Sequence, residues 1–167
     1  MTPVTPFSHE QLCAGLREAI VQAAAGQLGA RDHRVADYWR DVLGVSWQGG
    51  VFPPQWCGAF ALWCLHQAGV AADVQWRIGL GFLLMPPHSL AATGIPQPGD
   101  VSYRGSPFQH HAIVESCDIV HGIVRTIDGN QGPPDYIRRS HHALADKAFT
   151  HFSISPLIAA AAVKALA

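Results

Sequence analysis

Charge is what this chain has least of. Only 14% of its 167 residues are Asp, Glu, Lys or Arg, little more than half the usual quarter or so. The 11 basic and 12 acidic side chains nearly cancel, to a formal charge of −1. No run of Lys and Arg is present that could follow a phosphate backbone, which excludes nucleic acid as a partner class. Charge this sparse beside 49% hydrophobic residues also excludes a disordered chain or a coiled coil.

Cysteine is scarce too. Cys13, Cys57, Cys64 and Cys117 are the four present, and none sits in a CxxC spacing, so neither a disulfide framework nor a structural zinc site is indicated. Long apolar runs are lacking: SPLIAAAAVKALA is apolar for about a dozen residues, short of the roughly 20 that span a bilayer, and reads as a docked terminal helix over about 156–167. The opening MTPVTPFSHEQL has neither a basic n-region nor an apolar h-region, so the expectation is synthesis in the cytoplasm without a signal peptide.

What the chain has in quantity is ten His, 16 Gly and 12 Pro, a loop-rich composition with a surplus of imidazole. Its length suits one domain over 1–167. Residues 8–28 read as a helix, with Ser8 and Gln11 three apart as a capping box and Leu12, Leu16, Ala19, Ile20 and Ala23 at helical spacing. A second helix is expected over Arg34 to Leu43. The segment GVSWQGGVFPPQ is loop, since paired Gly and paired Pro break regular structure. In WCGAFALWCLHQAG, Cys57, Phe60, Ala61, Cys64, Leu65 and Ala68 form a continuous apolar stripe with almost no charge on any face, which marks a central helix. From Ala72 to Pro98 no clean period appears, and a short helix or two with connecting loop is expected.

From Gly99 the period changes to two. Segments 100–104, 109–117, 119–127, 135–139 and 149–154 are rich in Val, Ile, Tyr and Phe, and turn signals separate them, as in an antiparallel meander. Helices over about 8–70 followed by a sheet over about 99–155 define an α+β class, with the Cys57 helix packed on the sheet.

Cys57 is the most informative residue, because a Pro-Pro turn delivers it to the first turn of a buried helix. Unpaired N–H groups and the helix dipole there favour a thiolate, and could also hold an oxyanion. Gly58 keeps the approach open. A cysteine nucleophile needs a base on another element, with a third polar group behind it. His111 opens the run HAIVE on an expected strand, and alternation puts His111, Ile113 and Glu115 on one face and His110, Ala112 and Val114 on the other. His111 is therefore the expected base, with His110 the alternative. Asp128 and Asn130, in TIDGN at the end of the next strand, are both candidates to accept the His111 ring N–H. Trp56 lines a groove or wedges the helix start, and Gln55 donates to an oxyanion or caps the helix. Asp100 in PGD reads as a turn residue. Cys64 lies about 10 Å along the helix from Cys57 and reads as core. His141, His142 and His151 with His110 and His121 are the alternative constellation for a metal, but no pair has the helix-face spacing of a zinc site.

WCGAFALWC, PGDVSY, HHAIVES and TIDGN, in that order, resemble the motifs of the CHAP amidase and NlpC/P60 superfamily, across about residues 55–130. The resemblance implies a papain-like α+β fold and a cysteine hydrolase that cleaves amide or peptide bonds in bacterial peptidoglycan without a cofactor. It implies Cys57 as nucleophile, His111 as base and then acid, Asp128 in the place of an acidic third residue that is often Glu, and Asn130 beside it. Gln55, Trp56 and Gly58 would lie along the substrate. Some members carry an acidic calcium loop before the nucleophile; GVSWQGGVFPPQ has no carboxylate, so no metal is expected. A phage lysin released by a holin, or a secreted antibacterial effector with a cognate immunity protein, would act in the periplasm or wall. The rival readings are an acyltransferase or deamidase toxin acting on a protein, and a non-catalytic binding module.

Overall fold

In a computed structural model, residues 8–30, 34–43, 56–71, 74, 90–105, 107, 109–132 and 136–166 are described. The loop GVSWQGGVFPPQ, with Gln55 and Trp47, and most of the segment from Ala72 to Pro98, with Trp76, lie outside them. The described residues form four helices and one open antiparallel sheet, an α+β arrangement.

Helix α1 (His9–Ala25) begins where the sequence places it. Ser8 accepts from the Gln11 backbone N–H, the Gln11 side chain accepts from the Ser8 backbone N–H, and the capping box is complete. Helix α2 (Val35–Leu43) buries Tyr38, Trp39 and Val42. Helix α3 (Cys57–Gln67) has eight of its 11 residues buried, as an element apolar on every face must. It packs against α1, α2 and the sheet. Phe60, Leu62 and Leu65 are wholly buried in it, each contributing roughly 1.5–3 kcal/mol by burial.

The strands are β1 (Ala92–Thr93), β2 (Val101–Arg104), β3 (His110–Asp118), β4 (Ile123–Gly129), β5 (Ile137–Ala143) and β6 (Phe149–Phe152), followed by helix α4 (Ser155–Leu166). Their order is β1-β6-β2-β3-β4-β5. The meander holds from β2 to β5 and then fails, because β6 returns to pair with β2. Strand β5 also runs further than expected, through His141 and His142.

Curvature explains how a five-residue connection, 144–148, reaches from β5 to β6. Three strands separate the two in sheet order, which in a flat sheet would place them about 19 Å apart. Yet the His142 ring on β5 stacks on Phe149 of β6 at 3.7 Å and on His151 at 5.3 Å between centroids. The sheet is therefore curled into a half-barrel. Its convex face carries Val101, Ile113 and Ile127 into the helical core, while its concave face carries Ser102, Thr126, Asp128, His142 and His151.

Two glycines set the packing. Gly99 has φ +86°, where a side chain is strained, and it sits in contact with the Arg17 backbone of α1. It leads into Asp100, which is 1% exposed and accepts from Arg17 Nη1 at 2.9 Å, the Gln97 N–H at 2.9 Å and the Ile154 N–H at 3.1 Å. Arg17 also reaches Ser155 at 2.8 Å, so this one ion pair ties α1, the start of β2 and the start of α4 together. At Gly129 an added Cβ would lie 2.9 Å from both Phe60 and Trp56. That absence of a side chain lets the first turn of α3 sit directly on the end of β4.

Candidate active site

Cys57 is the first residue of α3 and is 2% exposed. Trp56 precedes it at the N-cap position and supplies no side-chain acceptor, so the first N–H groups of the helix are not spent on a side-chain cap from it. The Trp56 ring, expected along a substrate groove or as a wedge, is the wedge. It is 1% exposed and stacks on Tyr38 at 5.8 Å, with Phe60 edge-on at 6.4 Å. Gly58 is buried in the same turn. Gln55 lies outside the described residues.

The register of β3 on β4 places Ala112 opposite Asp128 and Ile113 opposite Ile127. Alternation then puts His110 on the concave face with Asp128, and His111 on the helical face opposite Gly129. The consequence is a correction to the expected pairing. Asp128 Oδ1 lies 2.8 Å from Nε2 of His110, and it is His110 rather than His111 that the sequence-expected third residue engages. Thr126, two residues earlier on the same face, donates to Asp128 Oδ2, and Gln131 lies 3.0 Å from His110 Nε2. His111 is 7% exposed and packs against Tyr103 at 4.9 Å between centroids. Asn130, with φ +62°, lies one residue beyond β4 and is exposed.

His110 opens its strand, and Asp128 engages its Nε2. Burial by itself would push the Cys57 thiol up, but hydrogen bonding to His110 and, next, to His111 outweighs it and brings the thiol down to about 6. Burial works against a charged His110 imidazole, while hydrogen bonds with Asp128 and then Cys57 raise it to about 9. The arrangement favours a thiolate beside an imidazolium near neutral pH. Cys64, wholly buried two turns along, is pushed well above the ordinary thiol value by that burial. All four cysteines are free.

Sequence reasoning missed Thr126 and Gln131. The first was legible as the residue two before Asp128 on one strand face; the second had no signal beyond its place after Asn130. Of the other histidines, His142 and His151 stack on each other. His121 pairs with Asp118 at 2.7 Å on the β3–β4 turn, His141 is exposed, and among the described residues no cluster of three or more His, Cys, Asp or Glu is arranged to hold a metal ion. No described helix is long and apolar enough to cross a membrane. Comparison with protein-family models, with curated proteins and with solved structures finds no match to this chain.

Proposed function

We propose that the chain is a papain-like cysteine hydrolase of the CHAP and NlpC/P60 kind, and that it cleaves an amide or peptide bond in bacterial peptidoglycan. The observation that carries the chemistry is the thiol at a helix start beside an imidazole held by a buried carboxylate. The four ordered motifs of the sequence carry the substrate class.

In the reaction the Cys57 thiolate attacks the amide carbonyl, forming an S–C bond while the carbonyl oxygen takes up the negative charge. Backbone N–H groups in the first turn of α3 stabilise that oxyanion. His110 gives its Nδ1 proton to the leaving nitrogen as the C–N bond breaks, and the thioester remains. Water then attacks the thioester, His110 takes its proton, and the released acid leaves the Cys57 thiolate beside a protonated His110 again. Asp128 keeps the imidazole oriented and its positive charge favoured throughout. His110 thus takes the role expected of His111, which becomes a second imidazole beside the thiol.

Digestion of purified peptidoglycan by the native chain and by Cys57→Ala, with the soluble products weighed by mass spectrometry, tests this. The expected result is new amino termini or free muramoyl groups with the native chain only. Equal products from both chains would overturn the assignment. A depressed Cys57 also speaks against a non-catalytic module, in which the buried thiol would titrate as high as Cys64 does.

A further inference from the structure

The concave face of the sheet holds a cavity of about 430 Å³, within the range of small-ligand sites. His110 and Asp128 form part of its lining, and Cys57 does not. Its walls include Arg104, Ser140, His142 and Phe149.

Three observations define its chemistry. The first is that Asp128, the one carboxylate among the described lining residues, already has both oxygens engaged, by His110 and by Thr126. The second is the Arg104 guanidinium, the one permanent positive charge among the described lining residues, which lies 5.8 Å over the Phe149 ring and is exposed. Among the described residues it has no carboxylate partner. The third is the His142 imidazole, which lines the wall and stacks on Phe149 at 3.7 Å between centroids, with the buried His151 stacked behind it and outside the lining. A small barrel interior filled only for packing would be apolar; among the described residues this one has imidazoles, hydroxyls and a guanidinium without a carboxylate partner around a void.

We propose that the half-barrel cavity is a second ligand site, behind the proposed catalytic imidazole, for a polar fragment ending in a carboxylate that pairs with Arg104. A guanidinium held over an aromatic ring presents two parallel N–H donors to such a group. The carboxylate has two chemical sources, a terminal carboxylate on a peptide chain or a free small organic acid. Binding does not require the hydrolase reading, although the cavity shares His110 and Asp128 with that site.

The test uses the full chain carrying Cys57→Ala, so that no turnover intervenes, and reads backbone amide shifts by NMR during titration. The probes are N-acetyl-alanyl-alanine as the free acid, the same dipeptide as its C-terminal amide, and succinate. Saturable shifts at Arg104, Ser140 and Phe149 with the free acid and not with the amide are expected. Arg104→Gln, an exposed substitution, should weaken binding about tenfold or more, and Ser140→Phe should block the cavity. Tighter binding of the dipeptide than of succinate identifies a peptide terminus as the source, and the reverse a free acid. No saturable shift with either acid, equal binding of acid and amide, or affinity unchanged by Arg104→Gln would each overturn the proposal, whatever the hydrolysis assay shows.

Discussion

Asp128 on β4 and His110 on β3 meet at 2.8 Å on the concave side of the sheet, while Cys57 begins a helix packed on the other side. The carboxylate is 5% exposed, so little water competes for its bond to the imidazole. Replacing it with an amide keeps a hydrogen-bonding group and removes the charge that favours imidazolium. Asp128→Asn should therefore reduce turnover by roughly 10²–10⁴ with little change in KM, checked by initial rates on soluble muropeptides.

The two adjacent histidines are separable by mutation. His110→Ala removes both the group bonded to Asp128 and the first of the two imidazoles that lower the thiol. It should lose activity nearly as completely as Cys57→Ala. His111→Ala should retain a measurable fraction, because His110 and Asp128 remain. The reverse ranking in the same rate assay would return the base to His111.

Hydrolysis and thiol labelling should share the acid limb of their pH dependence, and only hydrolysis should fall again at high pH, since alkylation needs the thiolate and no proton from His110. Below about 6 the Cys57 thiolate is lost, and above about 9 the His110 imidazolium is lost. kcat/KM should rise through the lower value and fall through the upper. Iodoacetamide should label Cys57 at pH 7, and leave Cys64 unmodified in the folded chain, because burial keeps that thiol protonated. Peptide mapping reads both outcomes. Alkylation of Cys57 only at the pH of an ordinary thiol would remove the ion pair from the mechanism.

Acid should loosen the half-barrel. Burial and then the neighbouring His151 push His142 down to about 4 from an ordinary 6.5, and burial lowers His151 as well. Above 6.5 both residues are neutral in the folded and unfolded chain, and neither affects stability. As pH falls below 6.5 the unfolded chain takes up protons that the folded chain refuses, so stability drops until about pH 4 and then levels. Asp128, Asp146 and His141 also act on His142, and Asp100 on His151. His142→Phe, which keeps the stack on Phe149, should flatten the fall of urea midpoint between pH 6.5 and 4 relative to the native chain.

The Arg17–Asp100 pair should matter to folding rather than to chemistry. Removing one partner of a buried pair strands the other, at a cost of about 3–5 kcal/mol. Asp100→Ala should lower the urea midpoint accordingly, while the fraction that remains folded keeps the pH profile of any hydrolysis.

Much of this architecture is local and was legible. The capping box at Ser8 and Gln11, the all-apolar helix from Cys57 and the change of period near Gly99 depend on neighbours within a few residues, and each appears where the pattern puts it. Alternation likewise divided β3 into the face of His110 and the face of His111. What it could not supply was the partner of each face. That depends on the register of β3 against β4, which sets Ala112 opposite Asp128, and on the curl that carries β5 back to β6 through the His142 stack. Neither is written in a period of two, because a twisted sheet can pair and curve in several ways with one alternation. The sequence by itself determined that a cysteine would begin a buried helix and that two histidines would open a strand. The tertiary structure alone decided that Asp128 holds His110, because strand register and sheet curvature are set by packing of the whole core, including a helix seated on Gly129.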